Sequence, residues 1–270
     1  MLSTFTKTLS SFINTLSFDV KSLKYISSIV LTGILLTSCS SQIKEAENKT
    51  KAADYNADLG IEYLRNGRLQ LANQKLLKAI EQSPDSAKAH HYFALLQKRL
   101  KENSKAQHHF KKAIDINPKD PELRNNYGSF LCATNRPQAA VKQFLVAIKD
   151  PLYRTPEFAY TNAGICSYKS NQPNEAEKYF RLALDKRANF SSALLQLAKL
   201  YENKKDLPRA HAFLSRYENV GKSTPEALQL CASINKKMGN HKKANKCTSA
   251  LLRLFPTSEE ASRLSSARTH

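Results

Sequence analysis

Five cysteines and two pairs of adjacent histidines are the residues of this chain best equipped for chemistry. Cys39 stands at the end of an apolar run, Tyr25 to Leu36, just after Thr37 and Ser38. A thiol there can form a thioether. Cys132, Cys166, Cys231 and Cys247 make an even number, which in an oxidising compartment suggests two bridges. Four cysteines allow three pairings; the alternative is four buried thiols packed as small apolar groups. His90-His91 and His108-His109 offer imidazoles to a metal. Neighbours on a helix point apart, however, and no carboxylate completes a ligand set, so they are read as surface histidines and no metal is expected. There is no nucleophile elbow, phosphate loop or zinc-type cysteine pair. No residue set is present to carry catalysis, so the chain is read as a non-enzyme without a cofactor.

The elements that would hold these side chains announce themselves by repetition. Ala72, Ala106, Ala140, Ala176, Ala210 and Ala244 follow one another at steps of 34, 34, 36, 34 and 34 residues. Gly60, Ala94, Gly128, Gly164, Ala198 and Ala232 repeat the same steps. Small residues let the two helices of a pair approach closely, and larger apolar residues flank them at helical spacing: Leu59, Tyr63, Leu76 and Ile80 first, then Phe93, Leu96, Phe110 and Ile114. A 34-residue period of helix-turn-helix units is the tetratricopeptide pattern. The expected fold is all-α, a tetratricopeptide solenoid: a right-handed superhelix of about six repeats.

Turn signals set the boundaries. Asn66-Gly67, Asn135-Arg136-Pro137, Asn171-Gln172-Pro173, Asp206-Leu207-Pro208 and Gly239-Asn240 separate the helices within units. Pro84, Pro118, Pro151 and Pro256 stand where second helices should stop. The units are read as 53–86, 87–120, 121–156, 157–190, 191–224 and 225–258, with 259–270 a capping helix or tail. Units five and six depart from the pattern: Tyr217 and Leu251 replace the alanines at 79, 113, 147 and 183. Cys132 and Cys166 fall near the ends of the first helices of units three and four, and Cys231 and Cys247 on the two helices of unit six. These local pairs are favoured among the three pairings.

The N-terminus is of another kind. Lys21 and Lys24, an apolar stretch of about a dozen residues and then small residues describe a secretory signal over 1–38, too short for an ordinary membrane span. Leu36-Thr37-Ser38-Cys39 resembles the bacterial lipobox, which implies cleavage before Cys39, diacylglycerol on its sulfur and an acylated amine. Ser40, in place of the aspartate that favours inner-membrane retention, implies the outer membrane. Several acyl chains would anchor firmly, and the polar residues up to 52 are read, with Cys39, as a lipidated flexible tether over 39–52.

The chain carries a formal charge of +19; loss of 1–38 removes Lys7, Lys21, Lys24 and Asp19 and leaves +17. Basic residues are spread through every unit, in pairs such as Lys111-Lys112 and Lys236-Lys237. They read as a solvated face in preference to an acidic docking site. Export and the absence of a recognition motif argue against nucleic acid.

At units three and four, the segments Asn125–Cys132, Asp150-Pro151-Leu152-Tyr153-Arg154-Thr155-Pro156 and Tyr160–Cys166 resemble the type IV pilus biogenesis/stability lipoprotein family (PilW/PilF). The resemblance runs from Cys39 to about Pro256. It implies a pilotin, which helps the pilus secretin reach the outer membrane and assemble into its ring. Other classes remain: an envelope scaffold for cell-wall enzymes, or a component of outer-membrane protein insertion. A partner groove would be lined by the first helices; register nominates Ile61, Leu64, His91, Leu95, Lys98, Asn125, Ser129, Thr161, Ile165, Tyr168, Leu195 and Lys199. Ile61, Leu64, Leu95 and Ile165 are the leading apolar contacts for a protein segment. No small-molecule substrate is expected.

Overall fold

A computed structural model describes residues 45–266. The leader and Cys39 lie outside the described residues. Among those described there are thirteen helices and no strand: α1 (45–65), α2 (Leu69–Gln82), α3 (Ala87–Arg99), α4 (Asn103–Ile116), α5 (Pro121–Ala133), α6 (Pro137–Ile148), α7 (Pro156–Lys169), α8 (Pro173–Lys186), α9 (Ser191–Asn203), α10 (Leu207–Val220), α11 (Pro225–Lys237), α12 (His241–Leu254) and α13 (Glu259–Ser266). None is long and apolar enough to cross a membrane. The fold is the tetratricopeptide solenoid, each repeat one pair of helices. Internal contacts divide the chain into two compact units, one ending at Ala89 and one starting at His90.

In the first unit, Leu76 fills the space that Gly60 leaves; a Cβ on Gly60 would stand 2.5 Å from Leu76 Cγ. Asn56 Nδ2 donates to Gln82 Oε1 at 2.8 Å, joining α1 to the end of α2. The polar stretch read as tether is already helical from residue 45. Glu45–Lys49 and Glu47–Lys51, each one helical turn apart with the acid first, are paired at 2.8 and 2.6 Å. That is the orientation that supports an exposed helix.

In the second unit cores run along the helix pairs, two of them large. One gathers Ala94, Phe110, Phe130, Phe144 and Cys166; the other gathers Phe180, Leu194, Tyr201, Leu214 and Ile234. Phe110, Phe144 and Phe180 occupy equivalent second-helix positions and are fully buried, each contributing roughly 2–3 kcal/mol by burial. Tyr217 explains the departure of unit five. Its ring takes the room beside Gly221, where a Cβ would meet it at 2.5 Å. Its hydroxyl donates to Lys222 O at 2.6 Å and so ties down the following turn.

The turns inside pairs share one backbone device. Gly67, Lys101, Asn135, Asn171, Lys205 and Gly239 all have positive φ, between 58° and 79°. The left-handed residue reverses the chain between the two helices of a pair. Proline at the first helical turn then starts α5, α6, α7, α8, α10 and α11. Asp120 caps α5, accepting from Glu122 N and Leu123 N.

Candidate functional site

In the second unit the first helices α3, α5, α7, α9 and α11 stand in sequence, and their side chains are joined across each step. Asn126 Nδ2 lies 3.0 Å from His91 Nε2, between α3 and α5. Asn162 Nδ2 donates to Asn125 Oδ1 at 3.0 Å and to Ser129 Oγ at 3.3 Å, between α5 and α7. Asn203 Nδ2 donates to Tyr168 OH at 2.5 Å, between α7 and α9. Lys199 pairs with Glu226, and Glu202 accepts from Ser233 and, at 2.6 Å, from Lys237, between α9 and α11. These polar links fix the spacing of the helices and leave a polar face of set geometry.

The twelve nominated residues divide. Ile61, His91, Asn125, Thr161 and Leu195 are buried and are not open contacts. Thr161 donates to Glu157 O within its own helix. Leu195 belongs to the core around Phe180. His91 is enclosed, and burial outweighs the opposing pull of Asp120 to hold its pKa at about 4, a neutral imidazole. Asn125 spends its side-chain carbonyl on Asn162. Leu64, Leu95, Lys98, Ser129, Ile165 and Lys199 are half-buried, and Tyr168 is exposed. Leu95 and Ile165 lean on the two cores. Burial pushes the Lys98 amine below its usual value.

The histidines read as surface groups are largely interior. His90 and His91 are buried and His109 half-buried; only His108 is exposed. His90 Nδ1 and His109 Nδ1 meet at 2.8 Å. Burial first, then the nearby His90 and His108, hold the His109 pKa at about 4. Among the described residues one set of metal-type ligands converges, Glu218 with Cys231 and Cys247. Its two sulfurs are joined to each other. Cys132 and Cys166 form the second disulfide, their Cα atoms 5.8 Å apart, across the ends of α5 and α7.

A cleft of about 820 Å³ in the second unit lies outside these sequence expectations. It is walled by α9, α11 and α12, and Glu260 and Arg263 of α13 enter its lining. Within it Lys199–Glu226 cancel, while Gln229, Lys236, His241, Asn245 and Thr248 line the space. Such a wall of amides, hydroxyls and both charges suits a polar peptide better than an apolar small molecule. Asn126 and Asn162 were also missed. Each stands two residues before a helix-pair glycine, Gly128 and Gly164, an offset that could have marked them. The cleft had no such signal, since it depends on where α13 returns.

Tetratricopeptide repeat models match residues 87–120, 109–142 and 167–234. The type IV pilus assembly protein PilF of Pseudomonas aeruginosa is 27% identical over 238 residues, which cover 88% of this chain and 94% of that one. Its solved structure superposes with a TM-score of 0.71, covering 82% of this chain and 99% of PilF. The crystal structure of PilW, a widely conserved type IV pilus biogenesis factor, is 33% identical with a TM-score of 0.71, covering 78% and 97%.

Proposed function

Because this chain belongs to the PilW/PilF family of type IV pilus biogenesis tetratricopeptide proteins, we propose that it acts as a pilotin. In this reading it is a lipoprotein anchored through Cys39 to the periplasmic face of the outer membrane. It binds subunits of the type IV pilus secretin and promotes their delivery and multimerisation there. The observation that carries the reading is the match to PilF and PilW over nearly their whole length, joined to a lipobox-like Leu36–Cys39.

The physical logic is one of confinement. A chain fixed to the membrane turns the meeting of secretin subunits from a search through the periplasm into a search along a surface, which raises their effective concentration. The face of the first helices, with its spaced amides and the C-terminal cleft, offers side-chain partners to a polar segment. Within the second unit, Leu95 and Ile165 supply partly exposed apolar contacts.

The test is a deletion of the gene, with membranes fractionated and probed for heat-resistant secretin multimers. Loss of multimers, with rescue by the wild-type chain but not by Cys39→Ala, is the expected result. Normal multimers in the outer membrane of the deletion strain would overturn the pilotin reading.

A further inference from the structure

The left-handed turn residues hold a feature that the fold does not need. Lys101 and Lys205 have φ of 63° and 60°, in the register where the other pairs place Gly67, Asn135, Asn171 and Gly239. Glycine takes this conformation freely and asparagine tolerates it, whereas a lysine side chain makes it sterically disfavoured. Neither lysine repays this within the chain: both are exposed, and neither has an ion-pair partner among the described residues. Strain kept without an internal partner points outward.

The second unit brings these turns onto one edge. Arg136 of the α5–α6 turn donates to Gln107 of α4 at 2.8 Å. The Cys132–Cys166 bridge ties the ends of α5 and α7. Lys204, in the α9–α10 turn, reaches Asn174 at 3.3 Å and Glu177 at 2.8 Å on α8. Lys237 reaches Glu202 at 2.6 Å. Successive turns are therefore neighbours along a single rim. On it Lys101, Lys169, Lys205 and Lys242 are exposed and without an ion-pair partner among the described residues. The acids of this rim, Glu102, Glu177, Glu202 and Asp206, are all engaged by other cations. Two large apolar side chains stand exposed beside the lysines, Leu100 at 42% and Met238 at 45%. The opposite edge, where one pair hands over to the next, intersperses its cations with Asp120, Glu122, Asp150 and Glu226.

We propose that the within-pair turn edge of residues 98–242 is a docking rim for an anionic phospholipid surface. Unpaired lysines with apolar side chains between them are the chemistry of a membrane interface: the amines meet lipid phosphates and Leu100 and Met238 enter the headgroup boundary. Charge complementarity selects this occupant over a neutral surface. The rim extends the anchored reading without depending on the secretin. It would hold the array in a set orientation where a lipid anchor alone leaves it free to turn.

The test uses the purified full chain added to vesicles of phosphatidylcholine, or of phosphatidylcholine with about a third phosphatidylglycerol, at low salt. Two quantities are read: flotation with the vesicles, and amine labelling of individual lysines by mass spectrometry. Lys101, Lys169 and Lys205 should be protected on anionic vesicles and labelled on neutral ones, with protection lost in high salt. Lys149 and Lys222 on the opposite edge should label equally on both. The variant Lys101→Gly/Lys205→Gly suits these turns better than the native residues, so a loss of binding cannot be misfolding. Its partition ratio, anionic over neutral, should fall roughly 25-fold, about fivefold per lysine. Lys149→Gln/Lys222→Gln should leave the ratio unchanged.

Flotation on both vesicles with equal labelling would sink the rim and leave the anchor standing. Flotation on anionic vesicles alone, with the rim protected, would support the rim and count against the anchor. No flotation on anionic vesicles overturns the rim, as does protection of the same lysines by polyglutamate but not by lipid, which would assign the edge to an acidic protein.

Discussion

Glu177 on α8 is the group through which acid should loosen the junction of the fourth and fifth repeats. Its carboxylate accepts from Lys204 Nζ at 2.8 Å, in the α9–α10 turn, from Tyr201 OH at 2.5 Å, on α9, and from Arg181 Nε at 3.1 Å, on its own helix. Burial alone would raise its pKa; the hydrogen bonds from Lys204, Tyr201 and Arg181 outweigh it and hold the group at about 2. A carboxylate whose folded pKa lies below its unfolded one adds stability that is complete above the unfolded pKa. That stability is lost as the pH falls toward the folded pKa. From 4.5 to about 2, the shift is worth at most about 3 kcal/mol. The side chain keeps 20% of its exposure, and Lys204 and Arg181 keep 32% and 49%, so solvent screening brings the expectation to about 2 kcal/mol. Glu177→Gln should therefore cost about 2 kcal/mol at neutral pH, and the deficit should shrink between about pH 5 and about pH 2. His91 and His109, each held at about 4 by burial, lose stability as the pH falls from their unfolded value. They do so in both proteins, so the difference curve isolates Glu177. Urea titrations followed by circular dichroism give that curve, and amide exchange in α8 and α9 places the loss. A variant as stable as wild type at pH 7, or with an unchanged acid slope, would refute the reasoning.

The disulfides should show unequal worth. Closing a loop of 34 residues, Cys132–Cys166 should contribute about 4 kcal/mol, and Cys231–Cys247, closing 16, about 3 kcal/mol; denaturant midpoints of Cys132→Ser/Cys166→Ser and Cys231→Ser/Cys247→Ser, beside the reduced wild type, check both values. Asn162→Ala should cost about 1–3 kcal/mol, because it strips a donor from Asn125, which is buried. The same change to Asn126, whose partner His91 is also buried, should cost a similar amount, and both are read from thermal unfolding.

Much of the array is legible because its causes are local. The two small-residue registers force close helix pairs, and Gly67, Asn135, Asn171 and Gly239, all in the register of the repeat, state a left-handed turn. Lys101 and Lys205 fill the same backbone position with no propensity to betray it, so their turns are visible only through the period. The face of the first helices is harder. Helical register places a residue on a side of its helix, but the tilt of the next pair decides whether that side is open. This is why Leu195 sinks into the core while Lys199, one turn on, lines the cleft. The start of α1 is polar enough to pass for a tether, yet the glutamate–lysine spacing that supports its helix lies in the same letters. The cleft itself rests on a return of α13 that no pattern in residues 259–266 specifies.

The proposed rim and the proposed partner face are compatible for a geometric reason. Turns sit at the ends of helices, while a binding face runs along their sides, so the two surfaces are distinct. Docking the turns of the second unit on lipid would leave the sides of α3, α5, α7, α9 and α11 open. Each of these helices has 13 or 14 residues, and at 1.5 Å per residue it rises about 20 Å from its turn. A segment lying across the face would thus be held within about 20 Å of the bilayer, the place where a membrane-inserting assembly must gather its subunits. A rim on the opposite edge would serve as well sterically, but its interspersed acids would meet an anionic surface with repulsion. The sign of the exposed charge, not the shape of the repeat, selects which edge faces the membrane.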